Sequence, residues 1–190
     1  MSQNPSITFV TNNKEKIADI KLMLEKTIEL KFISDIELFE IQSLSVEEVV
    51  ASKALQAFEK LGAPVAVSDS GLEIKCLKNF PGALVKFTNE TIGQDGLVKL
   101  LEGVSDRRAQ FVAAIAYCTS KDNIQIFVER DEGTIAEKPR GIGWHFDKIF
   151  IPKGENRTWA EIGRENKNIH SAFRRALTKM ADFLKKEIGG

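Results

Sequence analysis

The chain has 190 residues, 43% of them hydrophobic and 28% charged, with 27 basic and 27 acidic side chains in balance. That length supports one substantial core without disulfide or metal staples, and the balance lacks the basic excess that drives non-specific nucleic-acid binding. The polar residues 1–5 contain no signal-like apolar core and no later run could span a bilayer, so a cytoplasmic protein is expected, with neither nucleic acid nor membrane among its partners.

Residues 7–10 read as a first strand, and Thr11-Asn12-Asn13-Lys14-Glu15-Lys16 leads into a helical pattern with Ile17, Ile20, Met23 and Leu24 on one face. Such a junction leaves backbone N–H groups and the positive end of the helix dipole available to phosphate. Asn13 can fix the turn and Lys16 can reach phosphate oxygens, although a lysine in this position is more often solvated than catalytic. No Gly-rich phosphate loop is present. Residues 30–33 and 36–41 read as extended pieces, the second carrying Glu40 between Phe39 and Ile41. Ser45-Val46-Glu47-Glu48 has the form of a capping box, opening a helix to about Leu61 that is closed by Gly62. Val46, Val49, Val50, Leu55 and Phe58 would face inward, with Ala54 and Ala57 allowing close approach; Lys53 on its own reads as an exposed helical lysine.

The apolar run Val65-Ala66-Val67 stops at Ser68-Asp69-Ser70-Gly71, and a second alternating run begins at Leu72. This reads as a buried strand delivering Asp69 to its end, where the backbone turns and local hydrogen bonds hold the carboxylate, either as a metal ligand or as a loop cap. Phe80-Pro81-Gly82 makes a second corner. A helix over 92–101 follows, then strands at 110–117 and 124–128 joined by the polar turn 119–123, with 133–136 continuing the sheet. After the break at 139–143, Trp144-His145-Phe146-Asp147 fits a base-stacking shelf or a core cluster, ahead of a strand at 149–151. A polar stretch, 165–170, precedes a last helix from near Ser171 past Leu184, striped by Phe173, Leu177, Met180 and Leu184. Cys76 and Cys118 read as buried free thiols. His145 and His170 are too few for a zinc site, and no Ser or Cys has an evident His partner. Acids, lysines and an aromatic loop suit water attack on a magnesium-bound nucleoside triphosphate.

Taken together these blocks resemble the inosine triphosphate pyrophosphatase family over nearly the whole chain. Thr11 to Lys16 resembles the family's opening T-G-N-x-x-K, with Asn12 in place of glycine. Glu40-Ile41-Gln42 resembles the segment whose acid helps hold the metal, and Ala51-Ser52-Lys53-Ala54 the block whose lysine meets phosphate. Ser68-Asp69-Ser70-Gly71-Leu72 with Phe80-Pro81-Gly82 resembles the most specific block, whose aspartate is metal ligand and water-activating base. The resemblance implies an α/β fold: a long mixed twisted sheet flanked by helices, forming a single two-lobed domain over residues 1–190 with the nucleotide cleft between the lobes. It implies a homodimer that hydrolyses ITP, dITP and XTP to monophosphate and pyrophosphate, using Mg²⁺ or Mn²⁺, and so clears aberrant purine nucleotides. Asp69, Lys16 and Lys53 would be catalytic and Glu40 and Asp69 the metal ligands. Thr11, Asn13, Lys16, Ser70, Trp144, Phe146, Asp147 and Lys167 would contact the substrate.

Two blocks depart from the family. Its F-G-[YW]-D-P is Trp144-His145-Phe146-Asp147-Lys148 here, and its K-N-x-x-S-H-R is Lys167-Asn168-Ile169-His170-Ser171-Ala172-Phe173. Ala172 and Phe173 thus replace the His and Arg that read the purine edge, which implies altered or relaxed base selectivity. His170 and Arg174 are nearby candidates to replace them. The alternatives are a pyrophosphatase for a different or modified nucleotide and a nucleotide-binding protein with little turnover.

Overall fold

A computed structural model describes residues 6–25 and 28–189, and at 15, 168, 170, 188 and 189 the backbone alone. Strand β1 (Ser6–Val10) passes through helix α1 (Lys14–Leu24) to β2 (Glu29–Ile33), which pairs parallel to it. Helix α2 (Val46–Leu61) then leads to β3 (Val65–Ile74), on the other side of β1. The short β4 (Pro81–Gly82) folds back on β3 and is followed by α3 (Val85–Thr91) and α4 (Gly93–Leu100). β5 (Arg108–Ser120) and β6 (Asn123–Ile135) form a long antiparallel hairpin, and β7 (Phe150–Pro152) pairs with the end of β6. Helices α5 (Trp159–Ile162), α6 (Arg164–His170) and α7 (Ala172–Gly189) complete the chain. The result is a mixed seven-stranded sheet of order β2-β1-β3-β5-β6-β7, with β4 beside β3 and helices on both faces. No helix among the described residues is long and apolar enough to cross a membrane.

Alternating side chains divide the core between the two faces. Phe9, Ala66 and Ile115 pack against Ile20 and Leu24 of α1 and Leu177 and Met180 of α7. On the opposite face Val65, Val67, Ala114 and Ala116 meet Val46, Val50, Ala54 and Ala57 of α2, whose small residues let the helix lie close to the sheet. A third cluster joins Leu72 and Ile74 to Leu97, Leu101, Phe150 and Trp159.

Helix α2 starts on Ser45, whose hydroxyl accepts the Glu48 N–H, and ends on Gly62 in the left-handed conformation (φ 65°). The box is not reciprocal: Glu48 accepts from the Ser43 hydroxyl at 2.6 Å, and the Ser45 N–H donates to Ser43 Oγ at 3.0 Å. Helix α7 is fastened to β6 at its start. The Ala172 N–H donates to Asp131 Oδ2 at 2.8 Å, and Arg175 donates to Asp131 and Glu129 at 2.9 and 3.0 Å. Acids there complement the positive end of the helix dipole.

Several elements differ from the sequence reading. Residues 65–74 form one strand, so Asp69 lies mid-strand rather than at a turn. Residues 36–41 form no strand; Gln56 exchanges 2.9 Å hydrogen bonds with the Phe39 N–H and carbonyl, and Lys60 donates to the Glu37 carbonyl, so α2 side chains satisfy that backbone. The hairpin turn is confined to residues 121–122, α3 and α5 are additional helices, and the polar stretch before α7 is itself helical. Cys76 is exposed on a 3-10 turn, whereas Cys118 is buried and donates to the Ser120 carbonyl.

Candidate active site

Topology opens one edge of β3. The chain leaves β1 towards β2 and returns to β3 on the other side, and the crevice at the carboxyl ends of strands around such a reversal is where open α/β sheets hold ligands. β3 pairs with β1 at Ala66 and with β4 at Leu72 and Glu73. Between these points, Ser68 to Gly71 have β5 on one side, while on the other they pair with no strand of the described residues. A side chain meets this edge instead: Lys16 Nζ donates to the Ser68 carbonyl at 3.1 Å. Gly71 keeps the neighbouring approach tight, since a Cβ there would sit 2.5 Å from both the Gly82 oxygen and Val46 Cγ2.

Alternation along β3 sends Asp69 to the α2 face and Ser70 to the α1 face. The Ser70 N–H donates to Asp69 Oδ1 at 2.8 Å. Lys53 of α2 donates to Asp69 Oδ2 at 3.2 Å and to Glu40 Oε1 at 2.8 Å. Burial opposes the Lys53 charge, but these two carboxylates outweigh it and hold the ammonium above the ordinary lysine range. Lys16 behaves oppositely. Its burial is the larger influence and pushes its pKa down despite the attraction of Asp69, with Lys53 adding repulsion. The first turn of α1 is built as the sequence suggested: Asn13 Oδ1 accepts the Lys16 N–H at 3.1 Å, and Thr11 Oγ1 accepts the Asn13 N–H at 3.2 Å.

A cavity of about 470 Å³ runs from Asn13, Lys16 and Ser70 to Trp144, Asp147 and Lys167, a size suited to a small ligand. Phe111 and Trp159 line it, edge to face at 4.9 Å. Lys167 Nζ donates to both oxygens of Asp147 at 2.7 and 2.8 Å and lies 4.4 Å from the Trp159 ring centre. Trp144, 46% exposed, reaches the cavity where the backbone turns sharply into His145, a non-glycine residue at φ 33°. Phe146 corrects the expectation of a stacking contact: it is buried in the third core cluster and does not line the cavity. The cavity ends at Lys16 and Ser70; Asp69, Lys53 and Glu40 stand beyond them on the α2 side, and Lys16 feels the charge of all three. The whole suits a ligand with a flat ring at one end and clustered negative charge at the other.

The structure also separates the departing residues. Ala172 is fully buried, Phe173 forms part of the cavity wall, and Arg174 is exposed outside it. The side chains of His170 and Asn168 lie outside the described residues. Phe111, Trp159, Asp19 and Arg164 line the cavity without having been singled out in the sequence. A signal for two of them was there: Thr158-Trp159-Ala160-Glu161 is a reciprocal capping box that starts α5 and seats Trp159. Lys167 lies three positions after Arg164, which places them on one face of α6. Among the described residues no group of three or more His, Cys, Asp or Glu side chains could hold a metal ion; the acids that Lys53 joins are a pair.

Known proteins resemble this chain over nearly its whole length. A dITP/XTP pyrophosphatase of Methanopyrus kandleri is 40% identical over 186 residues, covering 97% of this chain and 98% of its own. One from Saccharolobus solfataricus is 42% identical over 180 residues, covering 94% and 93%. Inosine triphosphate pyrophosphatase 2 of Trypanosoma cruzi is 39% identical over 181 residues, covering 94% and 92%. The solved Ham1 protein of Staphylococcus aureus superposes with a TM-score of 0.84 at 29% identity, covering 96% of this chain and 99% of its own. A HAM1 protein from Coxiella burnetii gives 0.83 at 27% identity, with the same coverage. Residues 7–183 match the Ham1 family, a span that holds every site residue from Thr11 to Phe173, and the chain belongs to that family.

Proposed function

We propose that this protein is a nucleoside triphosphate pyrophosphatase that hydrolyses the deaminated purine nucleotides ITP, dITP and XTP to monophosphate and pyrophosphate. The observation that carries the reading is the Lys53 bridge between Glu40 and Asp69, beside the Asn13-capped start of α1 and Lys16. The names of the relatives, dITP/XTP pyrophosphatase among them, support the same substrate class.

Two carboxylates already drawn to one cation are a donor set that fits Mg²⁺, or Mn²⁺ in its place, since such ions take one or two protein carboxylates and complete their shell with phosphate oxygens and water. Glu40 and Asp69 would hold the ion, which when bound supplies Lewis-acid polarisation of the phosphate. Lys16 and the start of α1 hold the phosphate chain, and the ring lies towards Trp144, Asp147 and Lys167. Asp69 takes a proton from the attacking water as its oxygen bonds to the α-phosphorus. The bond to the bridging oxygen breaks, and pyrophosphate leaves with the electron pair. Lys16 and Lys53 neutralise the negative charge that this transfer gathers on the phosphate oxygens.

The test is pyrophosphate release with Mg²⁺ and with chelator, across ITP, dITP, XTP, the ordinary ribonucleotides and dUTP, with Asp69→Asn as control. Metal-dependent release that favours ITP and XTP and is lost in the variant is expected. Full activity in Asp69→Asn, or no metal-dependent release from any nucleotide, would refute the proposal. Ala172 and Phe173 favour a second reading, in which the same hydrolysis serves a different or modified base; release displaced towards an ordinary nucleotide would select it. The protein is further proposed to act as a cytoplasmic homodimer, and sedimentation as a monomer at micromolar concentration would refute the dimer.

A further inference from the structure

We propose that Asp19 and Arg164 form a positioning pair that sets the separation between the two walls of the cavity. The proposal rests on the nucleotide reading for the identity of the ligand, and on the structure for the pair itself. Asp19 lies three residues after Lys16 on α1, and Arg164 three residues before Lys167 on α6, so each sits about one turn from a lysine of the cavity on the same helical face. All four line the cavity. The Arg164 guanidinium donates to Asp19 Oδ1 at 2.9 Å, joining the wall that receives phosphate to the wall that carries Lys167 and Asp147.

The local backbone is arranged for this contact. Gly163 takes φ 86° and ψ 152° between α5 and α6, a conformation that L side chains rarely adopt, and the turn it permits brings Arg164 towards α1. Side-chain exposure of 48% for Arg164 and 19% for Asp19 makes this a half-solvated bridge, so it can be broken without unfolding the chain. A ligand that touches one wall is indifferent to the distance between them. One that spans both is held well only at the right separation. The chemistry takes place farther on, at Asp69 and Lys53, and Arg164 and Asp19 are neither donor nor acceptor in it.

Kinetics of Asp19→Asn, Arg164→Gln, the double variant and the exchanged pair Asp19→Arg/Arg164→Asp test this, with ITP as the spanning ligand and inorganic tripolyphosphate as the one-wall inhibitor. Each single variant should raise KM for ITP about fivefold with kcat unchanged, the size expected of an exposed ion pair. The double variant should be no worse than either single one, the exchanged pair should recover most of the loss, and inhibition by tripolyphosphate should stay as in the wild type. An equal loss of tripolyphosphate affinity, strictly additive losses, or an unchanged KM would each overturn the proposal. Absence of pyrophosphate release from the wild type would instead refute the functional reading; calorimetric titration of ITP and tripolyphosphate into the same variants would then decide the pair by the same criteria.

Discussion

Replacing Lys53 by methionine isolates the most charged point of the site. Its side chain is 15% exposed, Asp69 is 14% exposed, and Glu40 is 53% exposed. Removing one partner of a fully buried ion pair costs about 3–5 kcal/mol. Solvent at Glu40 reduces that penalty, so Lys53→Met should cost about 2–3 kcal/mol. For a chain of this length the unfolding midpoint should fall by roughly 5–10 °C. The pH dependence follows from the raised Lys53 pKa. The ammonium's contribution is fully present below the ordinary value of 10.5 and disappears as pH rises through the higher folded-state value. The gap between wild type and variant should therefore be constant across neutral pH and close only in strong alkali. Magnesium should raise the midpoint of the variant more than that of the wild type, because the ion would take the ammonium's place between Glu40 and Asp69. Thermal unfolding by circular dichroism, with and without Mg²⁺, reads both effects. An unchanged midpoint would mean that Lys53 is an ordinary surface lysine, and a lowered midpoint insensitive to Mg²⁺ would remove the proposed ion from these acids.

Lys16→Met should behave in the reverse sense. The lowered Lys16 pKa means that its ammonium costs folding stability below the folded-state value, a cost relieved as pH rises from there to 10.5, so the variant should be at least as stable as wild type at neutral pH while kcat/KM for ITP falls about a hundredfold; a destabilised but fully active variant would contradict this. Gly71→Ala forces a Cβ against the Gly82 oxygen and Val46, and should cost about 1–3 kcal/mol in urea unfolding and reduce turnover by displacing Asp69; unfolding and turnover at wild-type values would show that the approach of β4 is adjustable. Arg174→Ala should leave the ratio of ITP to GTP turnover unchanged, because Arg174 lies outside the cavity, and a shifted ratio would assign it a base contact.

Sequence patterns carried most of the architecture where local chemistry and tertiary packing agree. The Ser45 cap, the alanines of α2 and the Gly62 stop all act within a few residues of themselves. Ser68-Asp69-Ser70-Gly71 reads as a turn because its polarity answers to something remote: β3 changes its lateral neighbour from β1 to β4 there, and residues distant in sequence create that gap. Residues 36–41 mislead for a related reason, since their extended pattern is satisfied by Gln56 and Lys60 instead of a strand. Phe146 and Trp144 are indistinguishable by type, and the turn at His145 decides which reaches the core and which the cavity. Arg164 and Asp19 are far apart in the chain, and their meeting belongs to the fold alone.

The placement of Asp69 in the interior of a strand bears on how such a protein can change. Along β5, all ten residues of β3 are paired, so the Asp69 carboxylate rides on a segment whose amides should be among the slowest to exchange with deuterium. The far end of the cavity is assembled from helix ends and a glycine-flanked loop, whose amides should exchange faster. On the proposed reading, a substitution in the cavity wall such as that at Phe173 would retune which ring is accepted while β3 keeps its geometry. Ligand preference would then change in one part of the fold and bond cleavage would rest in another.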